Sequence, residues 1–213
     1  MEYIVELFGI KNCGDEKVYR NLIKRIIDLI ISIIAIILLI PLWIIIPILI
    51  KHDDGGPVFY MAPRIGKDSK RILMYKFRSM KVDNDDIRNA DGSTYNSEDD
   101  PRVTNIGKKL RSTSIDELPQ LFNVLKGEMS LIGPRASTWD ALTTYKDDEI
   151  DKMRVRPGIT GYCQAYFRNG ISAREKRVKD AWYANNVSFI LDVKIFFKTI
   201  YTVLLRKNIY TNR

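Results

Sequence analysis

The sequence holds one histidine, His52, and two cysteines, Cys13 and Cys163. A single histidine excludes zinc-protease helices, most transition-metal sites and His-based triads that need a second such partner. Two cysteines give neither a disulfide framework nor a CxxC metal site. No GxxxxGK[ST] loop is present, so P-loop nucleotide chemistry is not indicated, and no aromatic-basic motif for reading nucleic acid appears. There are no internal repeats and no low-complexity tract. Catalysis, if any, falls to carboxylates, lysines and arginines, with a hard, oxygen-ligated metal such as Mg²⁺. The formal charge of +8 on 213 residues suggests an anionic partner: a phosphorylated substrate, an acidic lipid surface or nucleic acid.

Charge is also missing from Leu29 to Ile50, a run of about 33 Å as one straight helix against a bilayer core of about 30 Å. The run is too long, starts too late and lacks the small-residue cleavage site of a signal peptide. Nothing polar faces outward across it, which argues against a buried soluble helix and for membrane insertion. Pro41 and Pro47 interrupt it, and each removes a hydrogen bond and clashes with a carbonyl. A kinked single span is one reading. The flanks favour a re-entrant hairpin turning near Pro41. Lys17, Arg20, Lys24 and Arg25 precede the run, and eight Lys/Arg follow over 51–81 (Lys51, Arg64, Lys67, Lys70, Arg71, Lys76, Arg78 and Lys81). A positive-inside rule keeps both ends on the cytoplasmic side, which a single span cannot satisfy.

Further along, PVFY and RILMYKF read as two strands around a Gly-containing turn. Residues 82–105 read as a polar surface loop, and 106–128 as helical around LPQLFNVLKG with Gly127 as C-cap. A helix is expected over about 137–153, and two more over 172–185 and 187–207. In the last, Phe189, Val193, Phe196 or Phe197, Ile200 and Leu204 recur at helical spacing, with Lys194, Lys198, Arg206 and Lys207 placed to reach lipid phosphates. That helix reads equally as interfacial or as packed on the domain's own core.

The densest chemistry is STSIDELPQLFNVLKGEMSLIGPR. Asp116 and Glu117 are adjacent carboxylates near a helix start, and Ser114 to Glu117 matches a capping box. With Ser114 as N-cap, Pro119 breaks the first intrahelical bond; with Asp116 as N-cap, Pro119 needs no partner. Around the pair stand Lys76 and Arg78 in YKFRSM, Arg111, Arg135 in IGPR, Arg156 in VRPGITG and Arg168 in YFRNG. Cations set in tight turns suit phosphate oxygens, and a pyrophosphate substrate with Mg²⁺ accounts for carboxylates and cations together.

From Lys24 to about residue 207 the chain resembles the bacterial sugar transferases, the monotopic phosphoglycosyl transferases. The stretches that carry the resemblance are KRIIDL, PVFYMAPRIGKDSKRILMYKFRSM, LRSTSIDELPQLFNVLKGEMSLIGPR, VRPGITGYCQ, FRNGIS and WYANNVSFILDVKI. The resemblance implies transfer of a phosphosugar from a UDP-sugar to undecaprenyl phosphate, with release of UMP, as the first membrane step of glycoconjugate or polysaccharide assembly. It implies Asp116 as the nucleophile forming an aspartyl-phosphosugar, Glu117 as the Mg²⁺ ligand, Lys76 and Arg135 on phosphate oxygens, and Arg168 on the nucleotide-sugar. It also implies a re-entrant helix in the cytoplasmic leaflet of the inner membrane. Two positions depart from the family pattern: Ile40 stands where a serine usually precedes the helix-breaking proline, and Ala136 replaces the second proline of Pro-Arg-Pro.

The expected fold is α+β and mainly helical. Residues 1–20 form an N-terminal segment without assigned role, 21–52 the re-entrant helix, and 53–213 a small cytoplasmic α/β catalytic domain with amphipathic interfacial helices. Nucleic acid is not an expected partner. The competing reading is a membrane-anchored basic scaffold or regulator of polysaccharide assembly without turnover.

Overall fold

The apolar run folds as two helices. In the computed structural model, which describes residues 17–82, 87, 95, 97, 99–168 and 170–204, a π-helical turn over Tyr19–Ile23 leads into α1, Lys24–Leu38, and α2 follows over Ile40–Asp54. Residues 1–16 with Cys13, most of the expected loop over 82–105, and Arg206 and Lys207 lie outside the described residues. The two helices meet at Leu39 (φ −95°, ψ 12°) and bend by 63°. The cause lies two residues on, because Pro41 has no N–H for the carbonyl of Ile37 and its ring crowds that oxygen. The break therefore falls just before Pro41, which sits in the first turn of α2, where a missing N–H is tolerated. Pro47 lies inside α2 without ending it. Among the described residues no single helix is long and apolar enough to cross a membrane. Each arm has 15 residues, about 22 Å.

One face of α1 is polar and buried. Asp28 and Ser32, one turn apart, point inward. Asp28 accepts the Ser130 hydroxyl at 2.7 Å and the Leu131 N–H at 3.0 Å. Ile30, Ile34, Ile37 and Leu38 are half exposed or more, as are Ile40, Ile44 and Ile48 of α2. The far end of α2 turns inward, packing Ile46 and Ile50 on Phe77 and Leu110.

Strands β1 (Phe59–Ile65) and β2 (Arg71–Phe77) pair antiparallel in the register Phe59↔Phe77 to Ile65↔Arg71. The two expected strands are thus present, the first starting two residues late. Period-two alternation puts Ile72, Met74 and Lys76 on one face of β2. Helices α3 (Asn105–Thr113) and α4 (Gln120–Lys126) follow, the second ending at Gly127 (φ 84°) as expected. Asn123, wholly buried on α4, grips the free edge of β2: its amide oxygen accepts Tyr75 N–H at 3.0 Å and its NH₂ donates to Leu73 O at 2.7 Å.

Strand β3 (Ser130–Ile132) pairs in parallel with β4 (Gly158–Thr160). The motifs IGPR and RPGITG owe their glycines to this crossing. A Cβ on Gly158 would lie 2.1 Å from Gly133 N, and one on Gly161 would lie 1.9 Å from Gly133 O. The expected helix over 137–153 is instead three short turns: a 3₁₀ segment Trp139–Thr144, α5 (Asp147–Ile150) and a 3₁₀ segment Asp151–Arg154. Thr143 and Thr144 donate their hydroxyls to the carbonyls of Asp140 and Ala141, a local competitor of a continuous helix.

After α6 (Tyr162–Tyr166), α7 (Ala173–Asn185) starts from a capping box in which Ser172 and Glu175 bond each other's backbone N–H. The last helix, α8 (Phe189–Leu204), packs on the domain's own core by one face and leaves apolar side chains exposed on another. Ile195 is fully buried in a core with Tyr183, Ile132 and Tyr19, while Ile190 and Phe197 are about two-thirds exposed. The architecture is mainly helical with two small sheets.

Candidate active site

Helix α3 stops at Ser114, which adopts the left-handed conformation (φ 59°) and turns the chain back. A 3₁₀ turn over Ile115–Glu117 follows, and α4 begins only after Pro119, its N-cap. Neither expected N-cap is used: the Ser114 side chain makes no capping bond, and Asp116 sits one element earlier. The reason is Pro119, which cannot donate inside a helix and so fits at its threshold. Freed from capping, Asp116 and Glu117 face a cavity.

Lys76 joins them from the buried face of β2. Its Nζ lies 2.7 Å from Glu117 Oε1 and 3.9 Å from Asp116 Oδ2. Arg135 Nη1, from the turn after β3, lies 3.8 Å from the same Glu117 oxygen. Burial pushes the Asp116 carboxyl up, to about 6, with Lys76 opposing and Glu117 adding to the rise. Glu117 goes the other way. Burial raises it too, but Lys76 and Arg135 together outweigh that and hold it below the ordinary carboxylate range. The two adjacent carboxyls are thereby shifted in opposite directions: the paired Glu117 favours its ionised form, and Asp116 is raised by burial.

Arg111, from the last turn of α3, and Arg168, in a left-handed turn (φ 45°) after α6, also line the cavity. Burial lowers the Arg168 guanidinium, with the charge of Glu117 opposing. Two of the expected cations are elsewhere. Arg78 is buried and bonds Asp54, Pro57 O at 2.6 Å and Met80 O at 2.9 Å, closing the segment between α2 and β1. Arg156 donates to Gly127 O at 2.8 Å beyond the end of α4. Neither lines the cavity.

Among the cavity cations that were not sequence candidates, one acts on Glu117. Arg64 on β1 lines the site, and its charge helps to lower Glu117. The signal was there: Arg64 pairs with Ile72, and directly paired residues share a sheet face, so it stands on the same side as Lys76.

The cavity encloses about 1730 Å³. Its charged end is this cluster, and its other end reaches Ile31 and Ala35 of α1 and Val193, Phe196 and Ile200 of α8. A site of this shape accommodates a molecule with a polyanionic head and an apolar chain. Two carboxylates offer oxygen donors to a hard cation, and among the described residues no group of three or more His, Cys, Asp or Glu side chains gathers. One or two protein carboxylates completed by substrate phosphates is the usual environment of Mg²⁺, so these residues fit that ion.

Residues 19–206 match the family model of the bacterial sugar transferases. The chain is 39% identical over 199 residues to the undecaprenyl-phosphate galactose phosphotransferase of Salmonella typhimurium, an alignment covering 88% of this chain and 42% of that protein. It is 38% identical over 198 residues to the exopolysaccharide production protein ExoY of Rhizobium meliloti, covering 88% of each. With the UDP-N-acetylgalactosamine-undecaprenyl-phosphate N-acetylgalactosaminephosphotransferase of Aeromonas hydrophila the identity is 42% over 189 residues, covering 85% and 44%. The chain spans under half the length of the Salmonella and Aeromonas relatives, and 43% of an uncharacterized sugar transferase of Haemophilus influenzae that is 38% identical to it. By this match across nearly its whole length, the chain belongs to the bacterial sugar transferase family.

Proposed function

We propose that the protein transfers a phosphosugar from a UDP-sugar to undecaprenyl phosphate, through a covalent intermediate on Asp116, and releases UMP. The observation that carries this reading is the buried Asp116–Glu117–Lys76 cluster at the head of a cavity that continues onto apolar side chains of α1 and α8. The activities for which the Salmonella and Aeromonas relatives are named support the donor and acceptor classes.

In the first displacement an Asp116 carboxylate oxygen attacks the phosphorus that bears the sugar, and the bond from that phosphorus to the UMP oxygen breaks. UMP leaves with the electron pair. In the second, a phosphate oxygen of the lipid attacks the same phosphorus, the aspartyl bond breaks and the carboxylate is restored. An anionic nucleophile approaching a diphosphate is repelled, and Lys76, Arg64, Arg111, Arg135 and Arg168 offset that charge. Mg²⁺ held by Glu117 would draw further charge from the diphosphate.

The bent pair α1–α2 fits a hairpin that enters and leaves through one leaflet. Each arm is too short to cross alone, its exposed surface is isoleucine and leucine, and both flanks are basic. On this reading the cavity lies at the cytoplasmic surface of the inner membrane, where a soluble nucleotide-sugar and a lipid phosphate both arrive.

The test is UMP release by the full-length protein in detergent, with Mg²⁺, undecaprenyl phosphate and a panel of UDP-sugars including UDP-galactose and UDP-N-acetylgalactosamine. Wild type is expected to turn over at least one donor, and Asp116→Asn to lose roughly 10³-fold or more. Equal UMP from the two proteins refutes the nucleophile. No UMP from any donor favours a scaffold.

A further inference from the structure

The side chain of Arg135 reaches the carboxylates from a segment with little structure of its own. It is about half exposed, at 56%. A long flexible side chain in that position is aimed chiefly by its backbone. On the N-terminal side Pro134 restricts the chain, and Pro134 O accepts Gly158 N–H at 2.9 Å. On the other side stands Ala136, with no ring to restrict φ.

Two charged residues far away in sequence meet at this backbone. Lys152, in the 3₁₀ turn Asp151–Arg154, and Asp180, in the middle of α7, form an ion pair of 3.2 Å with side chains only 6% and 2% exposed. Lys152 Nζ also donates to Arg135 O at 3.0 Å and to Ser137 Oγ at 3.2 Å. Asp180 Oδ2 accepts Arg135 N–H at 3.2 Å. One buried ion pair thus takes both main-chain groups of residue 135. The three hydrogens of the ammonium are matched by three acceptors, so Lys152 has none left for a ligand in the cavity it borders.

Burying a lysine and an aspartate is costly, and an apolar pair of like volume is often as stable or more so. The pair therefore gains its meaning from what it holds. We propose that Lys152 and Asp180 are positioning residues for Arg135, clamping its backbone so that the guanidinium meets the diphosphate beside Glu117. The clamp supplies from the interior the rigidity that Ala136 does not supply along the chain. It rests on the transferase reading above for what Arg135 does, but not for the grip itself.

A double-mutant cycle separates this role from a general structural one. Lys152→Met is expected to lower kcat for UMP release by roughly ten- to a hundredfold with little change in KM, since misplacement by about 1 Å has effects of that order. In an Arg135→Ala background the same change is expected to cost less than about twofold, because its target is gone. Lys152→Arg, which keeps the charge and donors, is expected to recover part of the loss, as is Ala136→Pro added to Lys152→Met. Additive losses in the cycle overturn the proposal, and so does a Lys152→Met enzyme with wild-type kcat. Should Lys152→Met not fold, Asp180→Asn, nearly isosteric, takes its place in the cycle. Amide exchange over residues 133–139 gives a readout free of substrate. Lys152→Met and Asp180→Asn are each expected to speed it about tenfold or more relative to β1 and β2. Unchanged exchange overturns the clamp even in an active enzyme. Absence of UMP from wild type, with exchange accelerated in the variants, sinks the transferase reading and leaves the clamp standing.

Discussion

Asn123 gives the sharpest test of how the site is held. Its side chain is wholly buried and bonds Tyr75 N–H at 3.0 Å, Leu73 O at 2.7 Å and Glu128 Oε2 at 2.6 Å. The first two belong to β2 on either side of Met74, just before Lys76. Asn123→Ala strips both backbone groups of their partner, and each buried group left unpaired costs about 1–3 kcal/mol. Leu73 is nearly half exposed, so water reaches that edge and the lower part of the range applies. The expected loss is about 2–4 kcal/mol, or roughly 5–15 °C in melting temperature for a chain of this size. Asn123→Asp is expected to be worse at pH 7.5. It keeps the acceptor for Tyr75 but loses the donor to Leu73 O, and it sets a second carboxylate against Glu128. Thermal melting of the detergent-solubilised protein, followed by tryptophan fluorescence, reads both. An Asn123→Ala protein melting within about 2 °C of wild type, or an Asp variant melting above the Ala variant at pH 7.5, refutes the claim that this amide anchors the strand.

Two further outcomes follow from the electrostatics. Arg64→Met is expected to leave the melting temperature nearly unchanged while cutting UMP release roughly ten- to a hundredfold. Arg156→Met is expected to do the reverse, losing about 1 kcal/mol of stability with kcat/KM nearly unchanged; a larger catalytic loss in Arg156→Met than in Arg64→Met would contradict the assignment of Arg156 to structure. Stability against acid follows from the carboxyls held low, Glu117 and these among them: Asp54 by the Arg78 hydrogen bond, Asp100 by that of Arg102, and Glu149, whose burial is outweighed by Arg177 and its neighbours. A depressed folded value contributes stability above the unfolded one and loses it as pH falls through the folded one, so these groups fail below about pH 4. Asp116 has the opposite sign, since its raised carboxyl binds a proton more tightly when folded, and its contribution grows as pH falls through about 6. The melting temperature is thus expected to hold or rise slightly from pH 7 to 5 and to drop below about 4; a steady fall from pH 7 contradicts it.

The elements that were legible in the sequence are those with a period or a cap. RILMYKF became β2 over Arg71–Phe77, Ser172 and Glu175 open α7, and Gly127 closes α4. Asp116, Glu117, Lys76, Arg111, Arg135 and Arg168 do converge on one cavity. What was not legible was set by long-range contacts. Arg78 stands two residues from Lys76, and Arg156, like Arg64, is a cation beside a proline. What separates the three arginines is whether the fold brings carbonyls or the cavity to their guanidinium groups. The stretch 137–153 carries no strong breaker, yet threonine hydroxyls and the approach of Lys152 to Arg135 divide it into turns.

The charged groups of the site share a structural predicament that accounts for its construction. To bring cations and carboxylates within 4 Å of one another, the chain uses a 3₁₀ turn of 3 residues for Asp116 and Glu117, the end of a hairpin strand for Lys76 and an irregular turn for Arg135. Such pieces have too few internal hydrogen bonds to fix themselves. Two of them are fixed from outside, β2 by Asn123 on its free edge and the Arg135 turn by Lys152 with Asp180. Like charges brought close repel, and opposite charges collapse unless their backbones are held, so accuracy here has to come from buried bonds to the main chain. Substituting the clamps should therefore cost catalysis in proportion to how far they let a charged group drift, even where they touch no substrate.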